Sequence, residues 1–218
     1  MENNSKWADP TPAAIISSGI GFLGLGALLL GIAPVACMPL LVPWIAGISL
    51  VCFVCGIILL RNEDIFGGTL NLIIGGVLLG SGTWLSFLFK VIGLPLGKPI
   101  LGLGGIAPVP PHIEGYMWIG VVIFLVFAGI CALRLTWVMS AGLWWAAIAT
   151  FLAPGLWSIM GCPGIPDDPA GLIRHILPNI AGIMMMLFGL LLLYFGNGLW
   201  VNLWFGRPII PMGKPLLK

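Results

Sequence analysis

Apolar residues run through the chain in long stretches separated by short polar breaks. Six stretches reach the length of about 20 residues that a helix needs to cross the hydrocarbon core of a bilayer: about 13–33, 40–60, 69–89, 116–134, 136–157 and 178–201. The fourth and fifth share a tight turn around Arg134. The pattern predicts an all-α integral membrane protein with six transmembrane helices per subunit. It divides into an N-terminal segment 1–12, a membrane domain 13–201 and a C-terminal tail 202–218, without a separate soluble domain.

Composition agrees with the pattern. Of 218 residues, 60% are hydrophobic and 7% charged, where a soluble domain carries about 25% charged residues. So few charges cannot cover a water-facing surface, and lipid must be the solvent for most of the chain. No stretch has the basic start and small-residue cleavage site of a secretory signal. The net charge of +2 is too small and dispersed to suggest a nucleic-acid partner.

Charge does decide orientation. With both termini in the cytoplasm, Lys6, Arg61, Arg134, Arg207, Lys214 and Lys218 lie inside, against Lys90, Lys98 and Arg174 outside. That bias follows the positive-inside rule and predicts a multi-pass plasma-membrane protein. The outer connections 93–111 and 162–169 are rich in Gly and Pro, and read as ordered caps. Trp7, Trp118, Trp200 and Trp204 fall near span ends, where an interfacial aromatic belt sits.

The spans hold no Asp, Glu, Lys, Arg or His at mid-membrane depth. An intramembrane acid or histidine relay of the kind pumps use is therefore missing. No carboxylate pair, Ser-His-acid set or metal cluster can be assembled either, so no enzyme, cofactor or metal is implied. His112 and His175 stand in outer loops and read as exposed or capping residues. Cys52 and Cys55 read as small apolar packing inside a span; Cys37 and Cys162 fall in loops on one side, where a disulfide could join them.

Neutral polar residues take the place of charges: Ser17 and Ser18 in the first span, Asn71, Ser81, Thr83 and Ser86 in the third, Ser140 and Thr150 in the fifth, and Asn197 in the sixth. Most such groups bond to their own helix or hold neighbouring helices together, and a minority would line a pathway. Small residues at four-residue spacing, Ser17 with Gly21 and Gly76 with Gly80, allow close helix packing or a narrow pore.

Three motifs, in order along the chain, carry a resemblance. A-D-P-T-P-A-A-I (8–15) resembles the N-P-A-P-L-G-L signature of the acetate uptake transporter family, which includes the bacterial succinate/acetate permeases. G-G-T-L-N-L (67–72) with L-G-S-G-T-W-L (79–85) is similar to that family's G-N-T-F-G-L and Y-G-S-F-W-L. F-G-R-P-I-I-P-M-G (205–213) resembles its F-G-R-x-x-L-P-I-G ending. The loop 90–115 is longer than is usual in the family.

The resemblance implies a six-helix subunit in a ring of six, each with its own narrow route for acetate and related small carboxylates, succinate included. It also implies a constriction made by an aromatic residue on the first helix, a tyrosine on the third and a leucine on the fifth. Those positions fall at Ser18, Leu79 and Leu143, so two of the three depart from the family pattern. Asp9 stands where the family has Asn; Asp9 reads as a helix N-cap, Pro10 as the first helical residue, and Pro12 as removing a further backbone donor.

A carboxylate at pH 7 is almost wholly ionised, and an ion of that size costs on the order of 20 kcal/mol to move into a low-dielectric medium by an idealised estimate. Hydroxyls and amides can solvate it without the tight hold of an Arg pair, which suits passage. The expected lining is Ser17, Ser18, Asn71, Ser81 and Thr83, with Leu79 and Leu143 nearest the narrowest point, Trp84 as a wall, and Asp9, Pro10 and Pro12 forming the inner mouth. Transport would be passive or weakly proton-linked. A pore for ammonia, urea or water, and a non-conducting structural membrane subunit, remain the alternatives.

Overall fold

A computed structural model describes residues 7–80, 112–164 and 172–217, and among these every regular element is helical. Helix α1 spans Thr11–Leu29, α2 Met38–Arg61, α3 Ile65–Ile73, α4 His112–Ala132, α5 Trp137–Thr150 and α6 Ile176–Phe205. A 3-10 turn, Val35–Cys37, leads into α2. Turns of π-helix continue α3 over Ile74–Leu78 and α5 over Phe151–Trp157. Among the described residues, five helices are long and apolar enough to cross a membrane, while Ile65–Leu78 is a shorter apolar helix. The run expected at 69–89 is thus met only in its first part, and the rest lies outside the described residues.

Two helix starts differ from expectation for the same reason, which is where a side chain finds a free N–H. Pro10, at φ −87° and ψ 0°, occupies the cap position of α1, so Thr11 rather than Pro10 opens the helix and Asp9 sits one residue further out. Neither Pro10 nor Pro12 has an N–H to offer. The Asp9 carboxylate therefore takes the donor between them, Thr11 N, at 2.9 Å, together with the Thr11 hydroxyl. In α3 the Asp64 side chain accepts from Gly67 N at 2.9 Å and starts the helix at Ile65, ahead of the expected 69.

The two π turns also have local causes. Pro154 cannot donate to the Thr150 carbonyl, and the ladder widens there instead of breaking. At the end of α3, Leu79 N reaches back five residues to Ile74 O at 2.9 Å. One inserted residue turns everything beyond it by about 100° around the helix axis.

Close packing in lipid depends on small residues, and α1 and α6 meet through glycines seven apart. A methyl group added at Gly19 would lie 2.9 Å from the Gly189 carbonyl oxygen, and one at Gly26 would lie 2.8 Å from that of Gly182. Gly196 continues the series against Ile16, so the helices run antiparallel, backbone to backbone. Seven residues is two helical turns, which keeps the glycines on one side. The four-residue stripes do less: a methyl group added at Gly21 would lie 3.0 Å from the Ile48 side chain of α2, and one at Gly76 would lie 3.8 Å from the Phe53 ring. Helix α2 packs against α1 and α3, where Ser49 Oγ donates to Gly75 O at 2.6 Å. Ser140 Oγ does the same for α4 and α5, donating to Gly129 O at 2.6 Å. Exposed apolar side chains such as Leu40, Trp44, Phe127 and Trp204 cover the outside.

Both ends of the described chain come to one end of the bundle. Trp7 exchanges hydrogen bonds with Asn62, donating from N to Oδ1 at 3.0 Å and accepting from Nδ2 at 3.1 Å, and the Arg61 guanidinium lies 4.4 Å from the Trp7 ring centre. Gly206, at φ +62°, ends α6 with the left-handed residue that lets the chain double back. The returning segment crosses the bundle end and reaches the α4–α5 turn, where Leu216 N donates to Leu133 O at 2.9 Å.

Candidate functional site

A cavity of about 340 Å³ opens at that same end and runs inward between α1, α3, α4, α5 and α6. No residue of α2 lines it among the described residues. Its mouth is formed by Asp9 and Thr11 on one side, Asp64 at the start of α3, Leu135 and Thr136 at the α4–α5 turn, and Leu199 and Met212. Aliphatic and aromatic side chains make up most of the wall, including Phe22, Phe66, Leu70, Leu143, Phe188 and Phe195. Phe22 and Phe188 face each other edge to face, with ring centres 5.0 Å apart and planes at 70°.

Three neutral polar groups interrupt this wall below the mouth. Ser18 lies with its Oγ 3.3 Å from Cys52 Sγ. Asn71 donates one amide N–H to Gly67 O at 2.9 Å, one turn back, and keeps its second N–H without a partner among the described residues. The hydroxyl of Thr150, a residue only 5% exposed, makes no hydrogen bond among the described residues, and the side chain lines the cavity. Thr150 immediately precedes the π turn of α5, and Ile74 and Leu78 of the α3 π turn line the same cavity. The lining has two carboxylates and, among the described residues, no Lys, Arg or His.

The expected pathway residues are divided by this geometry. Ser18, Asn71, Leu143 and Asp9 line the cavity. Ser17 is half-buried and outside the lining, and Pro10 and Pro12 shape the helix start without facing the cavity. Leu79 is buried in a separate cluster with Ala14, Ile45, Ile48, Cys52 and Cys55. Leu78 is the cavity-facing leucine instead, four residues after Ile74 and seven after Asn71, the ordinary spacing of one helix face. Ser81, Thr83 and Trp84 lie outside the described residues.

Phe22, Phe188, Thr150, Asp64 and Met212 are lining residues that motif reasoning passes over. Phe22 stands one turn beyond Ser18 on the same face of α1, so four-residue spacing from Ser18 points to it. Asp64 carries a readable signal, an acid three residues before a backbone donor at a helix start. Met212 falls inside the 205–213 motif, which gives no sign that its side chain reaches the cavity.

The remaining polar and sulfur groups have structural roles. His175 Nδ1 accepts from Leu177 N at 3.3 Å at the start of α6, and His112 Nδ1 lies 2.6 Å from Ile159 O. Asn197 donates to Leu193 O within its own helix at 2.8 Å. Cys52 and Cys55 are buried against α1, and Cys37 and Cys162 are both free thiols, not joined to each other. Burial pushes the Cys162 thiol, in the loop after α5, above its ordinary pKa.

No protein-family model matches the chain, and no curated protein matches it in sequence. Its fold is that of a solved structure, the bacterial acetate channel SatP. The two superpose with a TM-score of 0.69 over 95% of this chain and 100% of that one, at 19% sequence identity.

Proposed function

We propose that the chain is a member of the acetate uptake transporter family and conducts acetate and related small carboxylates, succinate among the candidates, passively or with weak proton linkage. The observation that carries this reading is the cavity, apolar for most of its wall but with Ser18, Asn71 and Thr150 facing into it. A short carboxylic acid has the same division, a methyl group that favours apolar walls and oxygens that accept from hydroxyls and amides. Fold likeness to an acetate channel supports the same conclusion. A wall without a fixed cation holds an anion loosely, which favours passage over binding.

On this reading the apolar run 69–89 is the third of six spans, both termini are cytoplasmic, and six subunits form a ring in the plasma membrane. The cavity mouth then faces the cytoplasm. Thr150 and one N–H of Asn71 supply hydrogen bonds to the passing carboxylate, and Phe22 with Phe188 forms the apolar wall past which its methyl group slides. Asp9 and Asp64 at the mouth favour a second substrate class, small neutral solutes, because two carboxylates repel an anion and leave urea, ammonia or water unaffected.

Uptake of labelled acetate into proteoliposomes at pH 7 tests the first reading. A rate no higher than in protein-free liposomes sinks it, and a rise in urea or water flux without a rise in acetate flux establishes the second.

A further inference from the structure

We propose that Met212 sets the size limit of the cavity mouth, held there by the C-terminal segment 206–217 acting as a strap across the bundle end. The proposal rests on the carboxylate reading above for its substrate, but on separate observations for its geometry.

The body of the cavity does not select a small substrate. At about 340 Å³ it is in the range of pockets that hold drug-sized molecules, roughly 300–1,000 Å³, far larger than a two-carbon acid requires. Selection by size must therefore act where the route narrows, and Met212 lines the mouth together with Leu135, Val138 and Leu199.

The strap holds this side chain from both directions. Ahead of it, the Asn202 carboxamide accepts from Ile209 N at 2.7 Å and Ile210 N at 2.8 Å and donates to Ile210 O at 2.8 Å. The Tyr194 hydroxyl donates to Pro211 O at 2.8 Å, one residue before Met212. Beyond it, Trp137 N donates to Lys214 O at 3.1 Å. Two further features fit the side chain to its place. Gly198 leaves the hollow that the thioether fills, since a methyl group there would come 2.6 Å from Met212 Sδ. Gly213 takes φ +83° against Val138, a conformation that L side chains rarely adopt. These anchors fix an unbranched, adaptable side chain over an opening, where its thioether can yield to a small solute and obstruct a larger one.

The test uses the full-length protein in proteoliposomes at pH 7.5, with labelled acetate, lactate and gluconate, a size series that is ionised throughout. Met212→Ala is expected to raise the lactate-to-acetate and gluconate-to-acetate uptake ratios roughly tenfold or more, the discrimination that a methylene of space commonly gives. Met212→Leu, which keeps the volume, is expected to retain the wild-type ratios. Tyr194→Phe removes one strap anchor and leaves Met212 in place, so it carries the test if Met212→Ala does not fold; its ratios should rise in the same direction. Ratios unchanged in both variants overturn the proposal.

A second measurement needs no flux. In a background lacking the five native cysteines, Ser18→Cys should react with a bulky maleimide severalfold faster when combined with Met212→Ala or Tyr194→Phe. If the wild type takes up no carboxylate, the carboxylate reading fails, and this labelling comparison still decides the strap. Equal labelling rates overturn it.

Discussion

Replacing Gly189 with alanine should loosen the α1–α6 pair by an amount the structure allows us to bound. The new methyl group would stand 2.9 Å from Gly19 O and 3.0 Å from Leu23 N, where ordinary contact begins at 3.4 Å, so the helices must part by about 0.5 Å. Overpacking of this kind costs about 1–3 kcal/mol. The same substitution at Gly47 or Gly120 meets nothing within 4 Å, so only the higher helix propensity of alanine acts, a gain of about 0.5–1 kcal/mol. The gap between the two classes is then roughly 1.5–4 kcal/mol, or about 3–15 °C in the unfolding midpoint of a chain this size. Tryptophan fluorescence during heating in one detergent, at one scan rate, reads the difference. If Gly189→Ala melts together with Gly47→Ala and Gly120→Ala, the backbones do not approach as described, and the packing argument fails with them.

Three further outcomes follow from the cavity and the loops. Asp9→Asn keeps the Thr11 hydrogen bonds and removes a charge from the mouth, so acetate uptake should be retained or should rise; complete loss in a folded variant contradicts Asp9 as a mouth residue. Thr150→Val preserves shape and removes the unpartnered hydroxyl, and should lower acetate uptake about fivefold, the weight of one hydrogen bond, while leaving the unfolding midpoint unchanged or higher. Uptake equal to wild type would remove Thr150 from the pathway. Burial raises the Cys162 pKa, so its reactive thiolate is scarce at neutral pH and forms only at higher pH than for an ordinary thiol. Maleimide labelling of Cys162 should thus be slow at pH 7 and climb steeply toward pH 9, and a flat profile over that range refutes it.

Much of this architecture can be read from composition and run length, because lipid demands long apolar helices whatever else a protein does. The run at 40–60 falls inside α2, that at 116–134 overruns the end of α4 by two residues, and the tight turn expected around Arg134 separates α4 from α5. Helix ends are harder to read, since they depend on which side chain finds a free N–H; Asp64 moves one start and Pro10 another. Facing is harder still. Leu78, not Leu79, meets the cavity: helical spacing from Asn71 and Ile74 points to Leu78, whereas alignment with the family motif points one residue further on. The glycine series Gly182, Gly189 and Gly196 was visible as letters, yet its partners Gly19 and Gly26 are at the opposite end of the chain. Met212 reaches the mouth only through tertiary bonds from Asn202 and Tyr194, which spacing along the sequence cannot supply.

The glycine seam between α1 and α6 also sets a condition on how the chain is made. Gly19 leaves the ribosome about 170 residues before Gly189, which at 5–20 residues per second is a delay of roughly 8–35 s. During that interval the first helix must rest in the membrane with its most closely fitting face unmatched, held on its other side by α2, whose Ile48 already meets Gly21. The bundle closes only when the final helix is inserted, so a nascent chain released early would display an open groove of small residues to every neighbouring helix.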